Sequence, residues 1–268
     1  MIFSRTKGRL HLPKSLNFNN KNIEHVTESR FLGVIVYDRL NWAQHIKTII
    51  SKMSHYVGVL YRLKSSLPLE TRKLIYHSLI QSHLNFCSLV WGFAAQSNID
   101  KILRAQKKGM RAVIPGFVRY FYKNGKCPDH TKSYFNKFKI FTVQNVIALN
   151  SLLFVEKVRN FPKILPVSIS SLISPNAPTH KSTFESSSDW LENFGTPIYQ
   201  HSIFYKGVLL YLREEFNELP TSINKGYLKC YKNRVKCKLL EIQSKGDDNE
   251  WVPENFSINY ISGLRKSE

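Results

Sequence analysis

Carboxylates that could hold catalytic metal ions are scarce and poorly placed in this chain. The only adjacent pair of aspartates lies in the polar segment Lys245-Gly246-Asp247-Asp248-Asn249-Glu250, which has no apolar strand on either side. Two-metal chemistry needs carboxylates on rigid elements that hold both ions close together. Asp38 is a single acid followed by Arg39. We therefore predict no catalytic residue, no metal site and no resident cofactor.

Cysteine and histidine offer a second possible metal chemistry. Cys127 and His130 could combine with Cys230 and Cys237 to give four zinc ligands. Cys230 and Cys237 are separated by six residues inside a predicted helix, unlike the close cysteine pairs of zinc modules. We therefore predict no zinc site, and we interpret Cys87 as a small core residue. Four cysteines without a regular framework favour a reducing compartment, so we expect an intracellular protein of the nucleus or cytoplasm.

Positive charge is abundant, and part of it is periodic. Lysine and arginine number 39 against 19 acidic residues, which gives a formal net charge of +20. Within a predicted helix over 98–114, four cations recur at spacings of three and four residues and so share one face: Lys101, Arg104, Lys108 and Arg111. Such a one-signed stripe repels itself unless an anion lies against it. We predict that the stripe contacts a nucleic-acid backbone, with a solvated surface as the alternative.

Two further segments add positive charge. A predicted helix over 226–243 carries a dense group of cations, of which we predict that four bind nucleic acid: Lys229, Lys232, Arg234 and Lys236. Segment 117–141 interleaves basic residues with aromatic rings, a composition that suits single strands. Most of these rings are expected in the core, because a helical domain needs them for packing.

The elements that must position these residues predict an α+β chain that is mostly α. Residues 16–18 and 23–26 alternate as a β-hairpin, and the apolar run 31–37 is expected to join them in one small antiparallel sheet. Asn41 is the predicted N-cap of a first helix, which Pro68 separates from a second. The two helices would form an αα-hairpin over 41–91. The first helix has an apolar stripe at Trp42, Ile46, Ile49, Met53, Val57, Leu60 and Leu63, and the second at Leu69, Ile75, Leu79 and Leu84. A further helix begins near Thr142, and 161–200 has the composition of a linker.

Several short motifs follow one another in a characteristic order. They are Phe31-Leu32-Gly33-Val34, Leu40-Asn41-Trp42, His45-Ile46, Leu60-Tyr61-Arg62-Leu63, Leu67-Pro68, Tyr76-His77-Ser78-Leu79-Ile80, Cys87-Ser88-Leu89-Val90-Trp91-Gly92, Leu103-Arg104-Ala105-Gln106-Lys107-Lys108, Ser202-Ile203-Phe204-Tyr205-Lys206-Gly207 and Leu219-Pro220. Their order and spacing resemble the C-terminal part of the reverse transcriptase of non-LTR (LINE-type) retrotransposons, transposable elements of the jockey kind. The resemblance is strongest over 30–111 and weak between 162 and 200.

The resemblance implies a division of the chain and a role for each part. Residues 1–40 would be a palm remnant with the primer-grip hairpin, 41–160 a helical thumb with its following helices, 161–200 a linker and 201–268 a basic helical region with a frayed tail. Phe31, Leu32, Gly33 and Val34 would belong to the primer grip. The family is an RNA-directed DNA polymerase that uses Mg²⁺ held by a Tyr-x-Asp-Asp turn and an earlier aspartate. These 268 residues contain no such turn, so the chain alone is expected to be inactive.

The expected partner is therefore RNA, DNA or an RNA–DNA hybrid held by its backbone, and no membrane is expected. The alternative is a helical protein-interaction module, decayed or co-opted, with no nucleic-acid role. Sequence leaves the oligomeric state open.

Overall fold

The fold is α+β and mostly α, with two β-hairpins ahead of the helices. The computed structural model describes residues 15–24, 26–114, 131–161 and 227–245. In chain order the elements are β1 Ser15–Phe18, β2 Lys21–Glu24, β3 Glu28–Phe31, β4 Val34–Tyr37, α1 Ala43–Leu63, α2 Leu69–Ile75, a π-helical turn Tyr76–Gln81, α3 Ser82–Asn85, α4 Ser88–Trp91, α5 Gln96–Val113, α6 Thr131–Lys137, α7 Val143–Asn160 and α8 Tyr227–Lys245.

The strands form two separate two-stranded antiparallel sheets, so the single sheet expected from the sequence is wrong. Asn19 and Asn20 turn the first hairpin with positive φ angles, a conformation that asparagine tolerates. The expected strand over 31–37 is also wrong, because Leu32 and Gly33 both take positive φ and turn the chain between β3 and β4. A run of apolar residues looked like one strand, whereas it contains the end of β3, a two-residue turn and β4.

The second hairpin is attached to α1 through a buried histidine. The Ile35 amide donates a hydrogen bond of 3.3 Å to His45 Nδ1. Burial lowers the pKa of His45, and the charge of Lys52 lowers it further. His45 is thus held neutral, with one ring nitrogen accepting from the strand.

Helix α1 buries most of its predicted apolar stripe, although Trp42 is only half-buried and Leu63 is exposed. Ile46, Ile49, Met53, Val57 and Leu60 are all buried. The predicted N-cap Asn41 is wrong by one residue, because Trp42 occupies that position. The Asn41 Oδ1 nevertheless accepts a hydrogen bond of 2.8 Å from the Ala43 amide at the helix start. The stripe therefore positions α1 against the rest of the bundle, chiefly against α5.

The second helix departs from its predicted face. The buried residues are Tyr76, Ile80 and Leu84, whereas Leu79 is only half-buried. A π-helical turn of i→i+5 hydrogen bonds interrupts the α-helical period here. The interruption rotates the segment, so the prediction of Leu79 as a core residue is wrong and its neighbour Ile80 takes that place.

A short connection then packs closely on α7. The Trp91 indole is fully buried and donates a hydrogen bond of 2.8 Å to the Phe86 carbonyl. A Cβ on Gly92 would lie 2.9 Å from the side chain of Ile147 and 2.3 Å from the Ser88 carbonyl oxygen. Only glycine therefore allows this close approach to α7.

Helix α8 extends the core from the far end of the chain. Tyr231, Val235 and Leu239 pack against Ala148, Leu149 and Leu152 of α7 in a second apolar cluster. Gln243 Nε2 donates to Asn136 Oδ1 at 2.8 Å, and its Oε1 accepts from Asn145 Nδ2 at 2.7 Å. Most of the predicted linker over 161–200, residues 201–226 and the tail after 245 lie outside the described residues.

Candidate nucleic-acid interface

Helix α5 carries the predicted basic stripe and is anchored by its opposite face. Ile99, Ile102, Met110 and Val113 are buried against α1, the π-helical turn, α6 and α7. A Cβ on Gly109 would lie 2.9 Å from Ile80 Cδ1 and 3.4 Å from Tyr76 Cε2. Glycine therefore lets α5 approach the second helical segment, which fixes the orientation of the stripe on the other side.

Gln106 fixes α5 to the start of α7. Its side chain is fully buried, with Nε2 donating to the Phe141 carbonyl and Oε1 accepting from the Val143 amide, each at 2.8 Å. Val143 is the first residue of α7, so its amide has no partner within its own helix. One glutamine thus satisfies two backbone groups of the α6–α7 connection.

The structure places the first three stripe residues together on the exposed face of α5. Lys101, Arg104 and Lys108 are all exposed. Lys101 Nζ donates to Asn98 Oδ1 at 3.2 Å, and Arg104 Nε donates to the main-chain oxygen of Asp100 at 3.3 Å. In the part of the chain that the structure describes, no ion pair engages these three cations. Their charges therefore face solvent along two to three turns of helix.

One acidic residue, Asp100, lies next to the basic stripe. It lies four residues before Arg104, at the spacing of helical neighbours. Its carboxylate accepts instead from Gln96 Nε2 at 2.9 Å. Asp100 therefore lowers the local charge slightly without pairing with the Arg104 guanidinium.

Arg111, the last stripe residue, has a different environment. It is half-buried, and its main-chain oxygen accepts a hydrogen bond of 3.3 Å from Lys64 Nζ. Lys64 follows directly after α1, so the bond joins the ends of α1 and α5. Arg111 is thus the point at which the exposed stripe reaches the interior.

A third cation lies beside Lys64. Arg72 of α2 is only 5% exposed, and its charge lowers the pKa of Lys64 in addition to the larger effect of burial. Our sequence reasoning missed both Lys64 and Arg72. A signal for Arg72 was present, because it precedes the buried residues Tyr76, Ile80 and Leu84 at successive intervals of four.

The predicted cations of α8 do not share one face. Lys229, Lys232 and Lys236 follow spacings of three and four, with Lys229 and Lys232 exposed and Lys236 half-buried. Arg234 is also exposed but lies two residues from Lys232 and from Lys236, so it points in another direction. Three of the four residues can therefore contact one extended anion together.

The primer-grip-like residues lie at the turn of the second hairpin. Phe31 ends β3, and Leu32 at φ +46° and Gly33 at φ +86° form the turn. Leu32 is 79% exposed, whereas Val34 is buried. A Cβ on Gly33 would lie 3.4 Å from the Phe86 ring. The turn thus presents apolar side chains to solvent next to Phe86.

Among the described residues, no group of three or more His, Cys, Asp or Glu side chains could hold a metal ion. Cys230 and Cys237 are both exposed on α8, and the seven helical steps from one to the other correspond to about 10 Å along the axis. That separation is too long for both to ligate one ion from this helix. Cys127, His130, Asp247 and Asp248 lie outside the described residues.

The aromatic residues of the basic segment that the structure describes belong to the core. Phe135 is fully buried, and Tyr134, Phe138 and Phe141 pack against the main apolar cluster. Cys87 is packed against the same cluster, and burial raises the pKa of its thiol. The preference for packing over base stacking is therefore confirmed for these rings, while residues 117–130 lie outside the description.

In the four described ranges, every helix is too short or too polar to cross a lipid bilayer. Comparison with protein-family models, with curated proteins and with solved structures found no match for this chain.

Proposed function

We propose that the chain binds RNA, or an RNA–DNA hybrid, through its phosphate backbone, as the thumb and downstream part of a LINE-type reverse transcriptase. The observation that carries the proposal is the exposed row of Lys101, Arg104 and Lys108 on a helix whose other face is fixed in the core. A rigid row of cations suits a rigid row of phosphates. The resemblance of the sequence to the family and the net charge of +20 support the same proposal.

The length of the stripe matches several phosphates of one strand. Lys101 and Arg111 are ten residues apart, which corresponds to about 15 Å along a helix. Phosphates of one B-form strand follow one another at about 3.4 Å along the duplex axis. The stripe can therefore meet several successive phosphates, and such contacts carry no base specificity.

A triple variant tests this proposal. Replacing Lys101, Arg104 and Lys108 with Gln removes the exposed charges and leaves the half-buried Arg111 in place. We expect binding of a labelled RNA–DNA hybrid, measured by fluorescence anisotropy, to weaken for every sequence, and the salt slope to fall by roughly 3. Circular dichroism should show an unchanged fold, because all three side chains are exposed.

A matched control separates the stripe from total charge. Lys47, Lys52 and Arg62 are exposed on α1 but do not share one face. Their replacement with Gln changes the net charge equally, and we expect a smaller loss of affinity and of salt slope. Equal losses in the two triple variants, or an unchanged slope in the stripe variant, would refute the stripe as the binding surface.

A protein-interaction module is the second candidate, and one observation favours it. Apolar side chains are exposed on both hairpins, among them Leu16, Phe18, Ile23, Phe31 and Leu32. Exposed apolar groups that lie close together are typical of protein contacts. This alternative gains support if the wild-type protein binds hybrid without salt dependence or does not bind it at all.

A further inference from the structure

We propose that Lys64, Arg72 and Arg111 form a phosphate-binding site at the inner end of the basic stripe, and that it takes one phosphodiester of the bound strand. The identity of the phosphate rests on the proposed function. The site itself rests on the burial of Arg72 and on the position of Lys64, beside Arg72 and against the main chain of Arg111.

The first observation is the state of the Arg72 guanidinium. Arg72 is 5% exposed, and within the described residues its Nε and Nη1 atoms are buried without a hydrogen-bond partner. Buried charges in proteins are normally paired, because an unpaired charge loses its hydration without compensation. A planar guanidinium with free N–H groups matches the oxygens of a phosphate group better than any other side chain does.

The second observation is that another cation, Lys64, lies beside Arg72 and against the main chain of Arg111. Lys64 Nζ donates to the main-chain oxygen of Arg111 at 3.3 Å, and the charge of Arg72 acts on Lys64. Like charges gathered in a half-buried location repel one another, and an anion between them reverses that repulsion. Lys64 and Arg111 are half-buried, so the cluster borders solvent and a phosphate can reach it.

The third observation is continuity with the exposed stripe. Arg111 follows Lys108 by three residues on the same face of α5. A strand that contacts Lys101, Arg104 and Lys108 in turn is therefore directed towards Arg111. The cluster would hold that strand at one point more firmly than exposed lysines can.

Inorganic phosphate is the first probe. Thermal unfolding of the whole chain should be compared in millimolar phosphate and in chloride of equal ionic strength, where general salting effects are small. We expect phosphate at a hundred times its Kd to raise the Tm of the wild-type protein by roughly 5 to 10 °C. Arg72→Met should abolish this shift, and in chloride its Tm should equal or exceed that of the wild-type protein.

Two further variants make the first probe decisive. Lys64→Met leaves the buried Arg72 in place and should still reduce the rise in Tm that phosphate causes. Such a reduction cannot come from a packing defect at position 72. Arg62→Met removes an exposed arginine at the end of α1 and should keep the full shift. Absence of a phosphate-specific shift in the wild-type protein, or its persistence in Arg72→Met, would overturn the site.

RNA–DNA hybrid is the second probe and identifies the source of the phosphate. Arg72→Met should lower the salt slope of hybrid binding by roughly 1, as expected for one lost phosphate contact. An unchanged slope would overturn the assignment to the strand. The Gln variant of Lys101, Arg104 and Lys108 keeps Arg111, so it should lose hybrid affinity while keeping the phosphate shift. A wild-type protein that shows the shift but binds no hybrid would refute the proposed function and the assignment to the strand, while leaving a phosphate site.

Discussion

Replacing Gln106 with Met removes two hydrogen bonds from the junction of α5 and α7 while keeping most of the side-chain volume. The Val143 amide loses the acceptor that Gln106 Oε1 supplies at 2.8 Å, and the Phe141 carbonyl loses its donor at the same distance. A buried backbone group left without a partner costs about 1–3 kcal/mol. Val143 is fully buried, but Phe141 is half-buried and its carbonyl can regain water. We therefore expect a loss of about 2–4 kcal/mol in the free energy of unfolding, below the sum of the two upper limits.

Urea unfolding followed by circular dichroism measures this loss as a lower midpoint at an unchanged slope. Hydrogen exchange gives a local check, because the Val143 amide depends on Gln106 for its only recorded acceptor among the described residues. That amide should exchange faster in Gln106→Met even under strongly native conditions. Affinity for hybrid should be unchanged in the folded fraction, since Gln106 lies on the buried side of α5.

A matched glutamine supplies the control. Gln81 is also buried, but its Oε1 has no hydrogen-bond partner in the described part of the chain. Gln81→Met removes an unsatisfied polar group, so we expect a change of about 0.5 kcal/mol or less, or a gain in stability. Equal midpoints for Gln106→Met and Gln81→Met would refute the role of Gln106 as a bridge between two backbone groups.

Three other outcomes follow from the structure. Ile80→Ala should lower the free energy of unfolding by about 2–5 kcal/mol and Leu79→Ala by clearly less, because Ile80 is fully buried and Leu79 is not. Equal losses in urea unfolding would contradict the rotation of this helical segment. Burial lowers the folded-state pKa of His45, so the unfolded chain binds a proton first as the pH falls through about 6.5, and stability should decline from there towards the folded pKa; His45→Gln should flatten that pH profile. The chain alone should extend no primer with Mg²⁺ or Mn²⁺, and extension that disappears when Asp247 and Asp248 become Asn would contradict our interpretation of that pair.

Long amphipathic helices were predicted well because many residues report the same period. Helix α1 buries five of the seven residues of its predicted stripe, and the described bounds of α5 and α8 differ from the predicted ones by one or two residues. Helix α7 begins near Thr142 as expected, and Thr142 caps it by accepting from the Asn145 amide. In each case the apolar period continues over several turns, so no tertiary contact has to override it.

The errors occur where one residue takes an unusual backbone conformation. Leu32 adopts φ +46°, which its side chain disfavours, and thereby turns a continuous apolar run that was predicted to be one strand. The π-helical turn over Tyr76–Gln81 likewise interrupts a period that the sequence carries without a break. Both features bring residues into contact with distant parts of the fold, Gly33 with Phe86 and Ile80 with Gly109. Local pattern cannot supply such long-range contacts.

The candidate site also has one part that the sequence predicts and another that it does not. The exposed part of the stripe could be predicted, because spacing alone assigns Lys101, Arg104 and Lys108 to one helical face. The inner part could not, because Lys64 at the end of α1 bonds to the main chain of Arg111, and Arg72 of α2 lies beside Lys64. Arg72 also contradicts the ordinary expectation that a lone arginine in an amphipathic helix is exposed.

The two faces of α5 explain why binding and folding can be tested separately. The charges of Lys101, Arg104 and Lys108 repel one another, and this repulsion destabilises α5. Gly109 and Gln106 hold it from the opposite side, through close packing and through two backbone hydrogen bonds. Substitutions on the exposed face should therefore change the affinity for a polyanion with little effect on unfolding. Substitutions on the buried face should lower stability and leave the affinity intact. A variant of α5 that changes both stability and affinity must act where the two faces meet, at Arg111.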